Sequence, residues 1–157
     1  MRENTTLCYI EKDGAYLMMH RIKKIKDENR DKWIGIGGHL EFGESPYDCV
    51  RREATEECGL SLDAPEYRGI VTFVQKGVMT EYMHLFTCKK FSGRMKEDCD
   101  EGVLEWVKKE DVPSLPIWEG DKIFLSLLLT EKRFFSLKLV YDGEKLVGHT
   151  LDFGGEE

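Results

Sequence analysis

The sequence predicts a mixed α/β fold, a β-sheet covered by helices. Three observations lead there. Short β-rich runs and two helical segments follow one another in the order βββαββ…βαββ. Two Asp-Gly pairs, Asp13-Gly14 and Asp142-Gly143, mark hairpins, since both residue types tolerate positive φ. One segment, Pro46 to Cys58, carries both a helix start and a helix stop in its residues.

Taken in order, Thr5 to Ile10 reads as a strand and Ala15 to His20 as its return across the first hairpin. The basic run Arg21 to Lys26 leads into the polar loop DENRDK. Its charges read as a solvated loop, or Arg21 at the strand end reaches a substrate phosphate. Trp33 to Gly38 is a short strand running into glycines, which allow close backbone approach. Ser45 suits an N-cap, Pro46 the first helical position, Asp48 completes a capping box and Gly59 suits the C′ stop. Tyr47, Val50, Ala54 and Cys58 form the apolar face expected to dock on the sheet.

After a polar connection, Tyr67 to Gln75 and Met83 to Lys89 read as strands, with Lys76-Gly77 between them. Ser92-Gly93 breaks the pattern, and an acidic loop, Glu97 to Gly102, precedes a short strand from Val103 to Val107. A helical turn at Lys109 to Val112 ends at Pro113 and Pro116. Trp118-Glu119-Gly120-Asp121 then precedes a core helix from Lys122 to Thr130. Phe134 to Val140 and Lys145 to Thr150 flank the second hairpin, and the GGEE tail is expected to fray.

At 157 residues, 41% hydrophobic and 11% aromatic, the chain is expected to be a single domain over residues 1–157 with one sizeable core. A net charge of -7 argues against a nucleic-acid polymer as partner, because phosphate backbones need a basic surface. A small anion can still bind where metal ions supply positive charge. The five cysteines are odd in number and form no CxxC pair, which reads as reduced cytoplasmic thiols. No apolar run reaches signal-peptide or membrane-span length. Nothing marks an oligomer interface, so oligomeric state is left open.

The chemistry gathers on the helix. At about 100° per residue, Glu53, Glu56 and Glu57 share one helical face. Glu53 and Glu57 are like charges four residues apart, and Arg52 offsets only part of that repulsion. A solvated acidic face is one outcome. Glu44 just before the helix and Glu101 in the acidic loop suggest another, a metal site that relieves all these charges at once. Oxygen donors without His or Cys at ligand spacing point to Mg²⁺, with Mn²⁺ also suited, and Mg²⁺ commonly shares its shell with substrate phosphates. A diphosphate is then the natural partner, with a glutamate as general base toward water.

Gly38 to Leu60 resembles the Nudix box, G-x5-E-x7-R-E-U-x-E-E-x-G-U, where U is a bulky apolar residue. Gly38, Glu44, Arg52, Glu53, Glu56, Glu57, Gly59 and Leu60 match, and Ala54 is small for its U position. The resemblance implies an α/β/α sandwich with a mixed β-sheet between helices. It implies that Glu53, Glu56 and Glu57 ligate metal, joined by the Gly37 carbonyl and Glu101, with Glu53 as general base and with Glu44 and Arg52 bracing helix and loop. Catalysis would fall on Glu53, Glu56 and Arg52.

Beyond the box, EGVLEWV, PIWEGDKIF and FFSLKLVYDG resemble the MutT-type 8-oxo-dGTP diphosphatases. That likeness implies Trp118 stacking on a base, with Asp121 and Glu119 hydrogen-bonding its edge. From the residues alone, Trp118 could equally be a core side chain, Asp121 the N-cap of its helix and Phe73 either core or pocket lining. Two departures fall on the base: Ile34 stands where the mammalian enzyme has Asn, and Gly120 replaces one of two adjacent acids. His39 replaces a lysine beside Gly38, as a phosphate neighbour or a bystander.

The expected activity is Mg²⁺-dependent hydrolysis of an oxidised purine nucleoside triphosphate to monophosphate and pyrophosphate. The alternatives are a Nudix pyrophosphatase acting on ADP-ribose, a nucleotide sugar or a dinucleotide, and a nucleotide-binding regulator without turnover. Residues around Val74 match neither the Pro of ADP-ribose hydrolases nor the Tyr of dinucleotide hydrolases.

Overall fold

A computed structural model describes residues 2–23, 29, 31–97 and 99–155. Parts of the basic run and the polar loop (24–28 and 30), Asp98 of the acidic loop and the last two residues of the GGEE tail lie outside them.

The strands are β1 (Arg2–Lys12), β2 (Ala15–His20), β3 (Trp33–Ile34), β4 (Leu60–Asp63), β5 (Glu66–Gln75), β6 (Met79–Cys88), β7 (Lys90–Gly93), β8 (Val103–Lys108), β9 (Phe135–Asp142) and β10 (Lys145–Phe153). The helices are α1 (Pro46–Cys58) and α2 (Asp121–Thr130), and a 3₁₀ turn spans Lys109–Ser114. Among the described residues, one eight-stranded sheet runs β10-β9-β5-β6-β1-β2-β3, with β8 also paired to β2, and β4 pairs with β7 separately. The large sheet is mixed: β1 is parallel to β6 and β5 to β9, while the other ladders are antiparallel.

Alternation along β1 and β2 explains why helices cover both faces. Leu7, Tyr9, Tyr16 and Met18 pack with Phe124, Leu125 and Leu128 of α2. The residues between them, Cys8, Ile10, Leu17 and Met19, pack with Val50, Ala54 and Cys58 of α1. The expected mixed sheet between helices is therefore the observed one. No described helix is long and apolar enough to cross a membrane.

Helix α1 has the expected bounds. Ser45 Oγ accepts from the Asp48 N–H at 3.1 Å, and Asp48 Oδ2 accepts from the Ser45 N–H at 3.0 Å. Its docking face differs from the expected one: Val50, Ala54 and Cys58 are buried, but so are Cys49 and Glu57, while Tyr47 stays exposed, edge-on to Phe86.

Four further differences follow. The run after Gly59 is β4, whose short Leu-Ser-Leu-Asp alternation pairs with β7. Ser92-Gly93 does not break that pairing: Gly93, at φ +101°, lies opposite Leu60, where a Cβ would sit 2.7 Å from the Gly59 carbonyl. Strand β6 begins at Met79, four residues ahead of the expected start, because Gly77 at φ +73° closes a tight turn with Val78 N–H donating to Gln75. Helix α2 begins at Asp121, with Gly120 at the cap position, so Asp121 is not an N-cap.

Gly59 ends α1 at φ +76°, and a Cβ there would meet the Arg94 carbonyl at 2.7 Å. Gly59→Ala should therefore destabilise the fold by about 1–2 kcal/mol, read as a lowered midpoint in thermal melts.

Candidate active site

The site begins with a backbone constraint. Ile36 and Gly38 both offer their carbonyls to β1, to Cys8 N–H at 2.6 Å and Thr6 N–H at 2.9 Å. Successive carbonyls of an extended chain point to opposite edges, so the Gly37 carbonyl between them points away from β1. Only glycine fits here: a Cβ on Gly37 would fall 1.8 Å from the Thr6 carbonyl oxygen, and one on Gly38 would fall 2.5 Å from Glu53 Oε1. The glycine pair thus lets the acidic helix lie directly against the loop.

Arg52 ties that loop to the helix. Its Nε and Nη2 donate to the two oxygens of Glu44 at 2.7 and 2.9 Å, a bidentate pair. Nη1 donates to Glu53 at 2.8 Å and to Glu56 at 3.2 Å, Nη2 donates to the His39 carbonyl at 3.0 Å, and Glu41 lies 3.0 Å from Nε. These bonds hold the guanidinium firmly protonated. The Arg52 hydrogen bonds, then the Glu41 N–H, hold the Glu44 carboxyl down at about 2.

One guanidinium therefore answers four carboxylates. Glu57 adds a fifth: it is buried, and its Oε1 has no hydrogen-bond partner among the described residues. Burial, then a hydrogen bond with Glu53 and the Glu53 charge, push the Glu57 carboxyl far above the usual range, and Glu101 acts in the same direction. This oxygen-only donor set, with an orphaned buried oxygen and an excess of negative charge, fits a hard divalent cation. Among the described residues no three acidic, His or Cys side chains form a ready-made cage. Mg²⁺ does not require one, since it keeps waters and takes the rest of its shell from phosphates.

A cavity of about 740 Å³ opens beside Glu53, walled there by Gly37, Gly38, His39, Glu41 and Arg52. Its other end holds Ile34, Phe73, Trp118 and Asp121, with Arg21 and Glu101 also on its wall. Arg21 is not simply solvated: its Nη1 lies 3.2 Å from Glu101 Oε2. His39 is exposed at the rim, 2.9 Å from Glu3. Trp118 is both core and wall. It meets Phe73 and Tyr141 edge to face at 5.3 and 5.2 Å, donates from Nε1 to Asn29 at 2.7 Å, and carries the Lys32 ammonium 4.7 Å from its ring centre. Phe73 likewise serves core and cavity. Asp121 is 5% exposed and faces the cavity with no hydrogen bond to its carboxyl among the described residues.

Glu119 departs from the expected constellation. It sits in the turn before α2, points outward, and pairs with Lys122 at 3.4 Å instead of lining the cavity. Glu56 and Glu57 do not line the cavity either, Glu56 being exposed and Glu57 buried. Sequence reasoning missed Asn29, Lys32, Glu81, Thr5 and Met83. Glu81 and Met83 share one face of β6 by simple alternation, a signal hidden by starting that strand too late.

This geometry has relatives. The NUDIX domain model matches residues 1–128, and the chain belongs to the Nudix family. A Bacillus subtilis protein described as the uncharacterized Nudix hydrolase YvcI is 28% identical over 155 residues, covering 96% of this chain and 94% of its own. The oxidized purine nucleoside triphosphate hydrolase of Danio rerio is 32% identical over 123 residues, covering 77% and 78%. The crystal structure of a MutT protein from Bacillus halodurans superposes with a TM-score of 0.86 at 30% identity, covering 96% and 97%. The chain is a Nudix hydrolase of MutT type, an enzyme of a family that acts on pyrophosphate bonds of small nucleotides and uses divalent metal ions.

Gly38→Ala should push the Glu53 carboxylate from its seat, retain the circular dichroism spectrum and lower hydrolytic rate about 10²-fold. Asp121 yields a pH signature. Burial pushes its carboxyl up to about 8 from the usual 3.8, opposed by Lys32 and aided by Glu81. The folded protein therefore holds a proton that the unfolded chain releases, and stability falls as pH rises through that window. Asp121→Asn should remove this slope, so that the variant gains in thermal midpoint relative to the wild type between pH values of about 4 and 8.

Proposed function

We propose that this chain, acting as one catalytic unit over residues 1–157, is a Mg²⁺-dependent pyrophosphohydrolase of purine nucleoside triphosphates. The preferred substrate is an oxidised purine, 8-oxo-dGTP in particular, and the role is cleansing of the nucleotide pool. The observation that carries this reading is one continuous cavity that joins the acidic helix to an aromatic and carboxyl end. A triphosphate has the same polarity: a polyanion at one end, and at the other a flat heterocycle with hydrogen-bonding edges. The likeness to the oxidized purine nucleoside triphosphate hydrolases of Danio rerio and Mus musculus supports the choice of base.

Glu53, Glu56 and Glu57, with Glu101 and the Gly37 carbonyl, would hold the metal. When bound, it screens phosphate charge and makes water a better nucleophile. Glu53, oriented by Arg52, takes the proton of the attacking water. Water adds to the β-phosphorus, the bond to the oxygen bridging α and β breaks, and monophosphate and pyrophosphate leave. Trp118 offers a fixed plane for the base, and Asp121 offers a carboxyl to its edge. Arg21 and His39 flank the phosphates. Ile34 gives an apolar contact to the base in place of an amide. The five free thiols support a reducing, cytoplasmic setting.

Pyrophosphate release from a panel of nucleoside triphosphates, sugar nucleotides and dinucleotides tests the proposal. Hydrolysis of 8-oxo-dGTP well above dGTP is expected; equal rates would remove the sanitising role, and no triphosphate hydrolysis would remove the reaction. Glu53→Gln should lower kcat by about 10²–10⁴-fold while nucleotide binding persists, and chelation should abolish turnover until Mg²⁺ is restored. A binding-only regulator would show neither effect.

A further inference from the structure

The cavity floor holds a carboxylate that the acidic helix does not use. Glu81 lies within β6, aligned with Phe73 of β5 on one side and Glu3 of β1 on the other. Side chains of aligned residues leave the sheet on the same face, so Glu81 stands beside Phe73, whose ring meets Trp118 at 5.3 Å. The neighbouring floor mixes the apolar Leu7, Phe73 and Met83 with the polar Glu3 and Thr5. Thr5 Oγ1 donates to Glu81 Oε2 at 2.7 Å and orients the carboxylate. Asp121 is the independent sign that a polar ligand belongs here: it is 5% exposed, faces the same cavity, and its carboxyl has no hydrogen bond among the described residues.

We propose that Glu81 is a specificity-determining residue that selects purines bearing an exocyclic amino group over counterparts lacking it. The inference rests on the nucleoside triphosphate reading above. An ionised carboxylate only accepts hydrogen bonds. An amino group on the base donates to it, whereas a base without that donor offers the carboxylate nothing to accept and still displaces water from it. Sites built to hydrogen-bond a substrate group discriminate against analogues without it far more sharply than apolar pockets do. An apolar side chain at this position would accept either base.

The test compares GTP with ITP, which differ only in the 2-amino group, and ATP with purine riboside triphosphate, which differ only in the 6-amino group. In the wild type, kcat/KM should favour the amino-bearing member of at least one pair by about 10-fold or more. Glu81→Met should collapse that ratio toward unity by improving the disfavoured substrate relative to the favoured one. Glu81→Gln, which keeps an acceptor oxygen, should fall between. A wild type without preference in either pair, or an unchanged ratio in Glu81→Met, would overturn the proposal. Should Glu81→Met be inactive yet folded, tryptophan-fluorescence titrations with the matching monophosphates give the same ratio as a ratio of affinities, and an unchanged ratio there overturns the proposal equally. A wild type that hydrolyses no triphosphate overturns the reaction reading itself, an outcome distinct from hydrolysis with an unchanged ratio.

Discussion

The Arg52 guanidinium holds the site together. It grips Glu44 with a bidentate pair, touches Glu41, Glu53 and Glu56, and donates to the His39 carbonyl. A planar fork with several donors can do this; a lysine ammonium could not reach both carboxylate oxygens and the carbonyl in one geometry. Through Arg52, the loop after the double glycine becomes rigid with respect to α1. The cost is an acidic helix with more negative charge than one cation can balance, and that surplus is what makes a divalent metal favourable there.

Around this hub the sheet supplies position. Strand β1 is buried on both faces, with alternate residues given to the α1 and α2 sides. Its upstream part, Glu3, Thr5, Thr6 and Leu7, forms cavity floor where the double glycine crosses β1. Helix α1 and the turn leading to α2 are thereby brought to the same cavity, although α1 and α2 belong to different hydrophobic clusters. The acidic end and the aromatic end of the cavity are thus set by the thickness and register of one sheet.

Electrostatics then divides the cavity. Near α1, Glu41, Glu44, Glu53 and Glu56 pair with Arg52, while Glu57 is buried. At the far end Asp121 lies on the cavity wall and is almost fully buried, and burial keeps its proton on. Two carboxyl groups in one cavity consequently sit in different environments, Glu53 paired with Arg52 and Asp121 held neutral by burial. The overall charge of -7 is compatible with the small nucleotides this family acts on, since the family uses divalent metal ions and a metal can supply positive charge.

The bounds of α1 and its caps were legible because each depends on residues within about one turn of one another. The double glycine and the acidic face were legible for the same reason. The β4–β7 pair was not, since its two strands lie far apart in the chain; the start of β6 and the outward turn of Glu119 rest on the Gly77 turn and the Lys122 pair, whose geometry the residue types did not fix. Only the tertiary structure could set Glu81 beside Phe73, seat Lys32 on the Trp118 ring and bury Asp121 at the cavity wall. Register between distant strands, and burial, are properties of the folded whole. Thus the stretch from Gly38 to Leu60 carries the acidic pattern of the family in its spacing, whereas the aromatic and carboxyl end of the cavity lies in contacts that exist only once the sheet has closed.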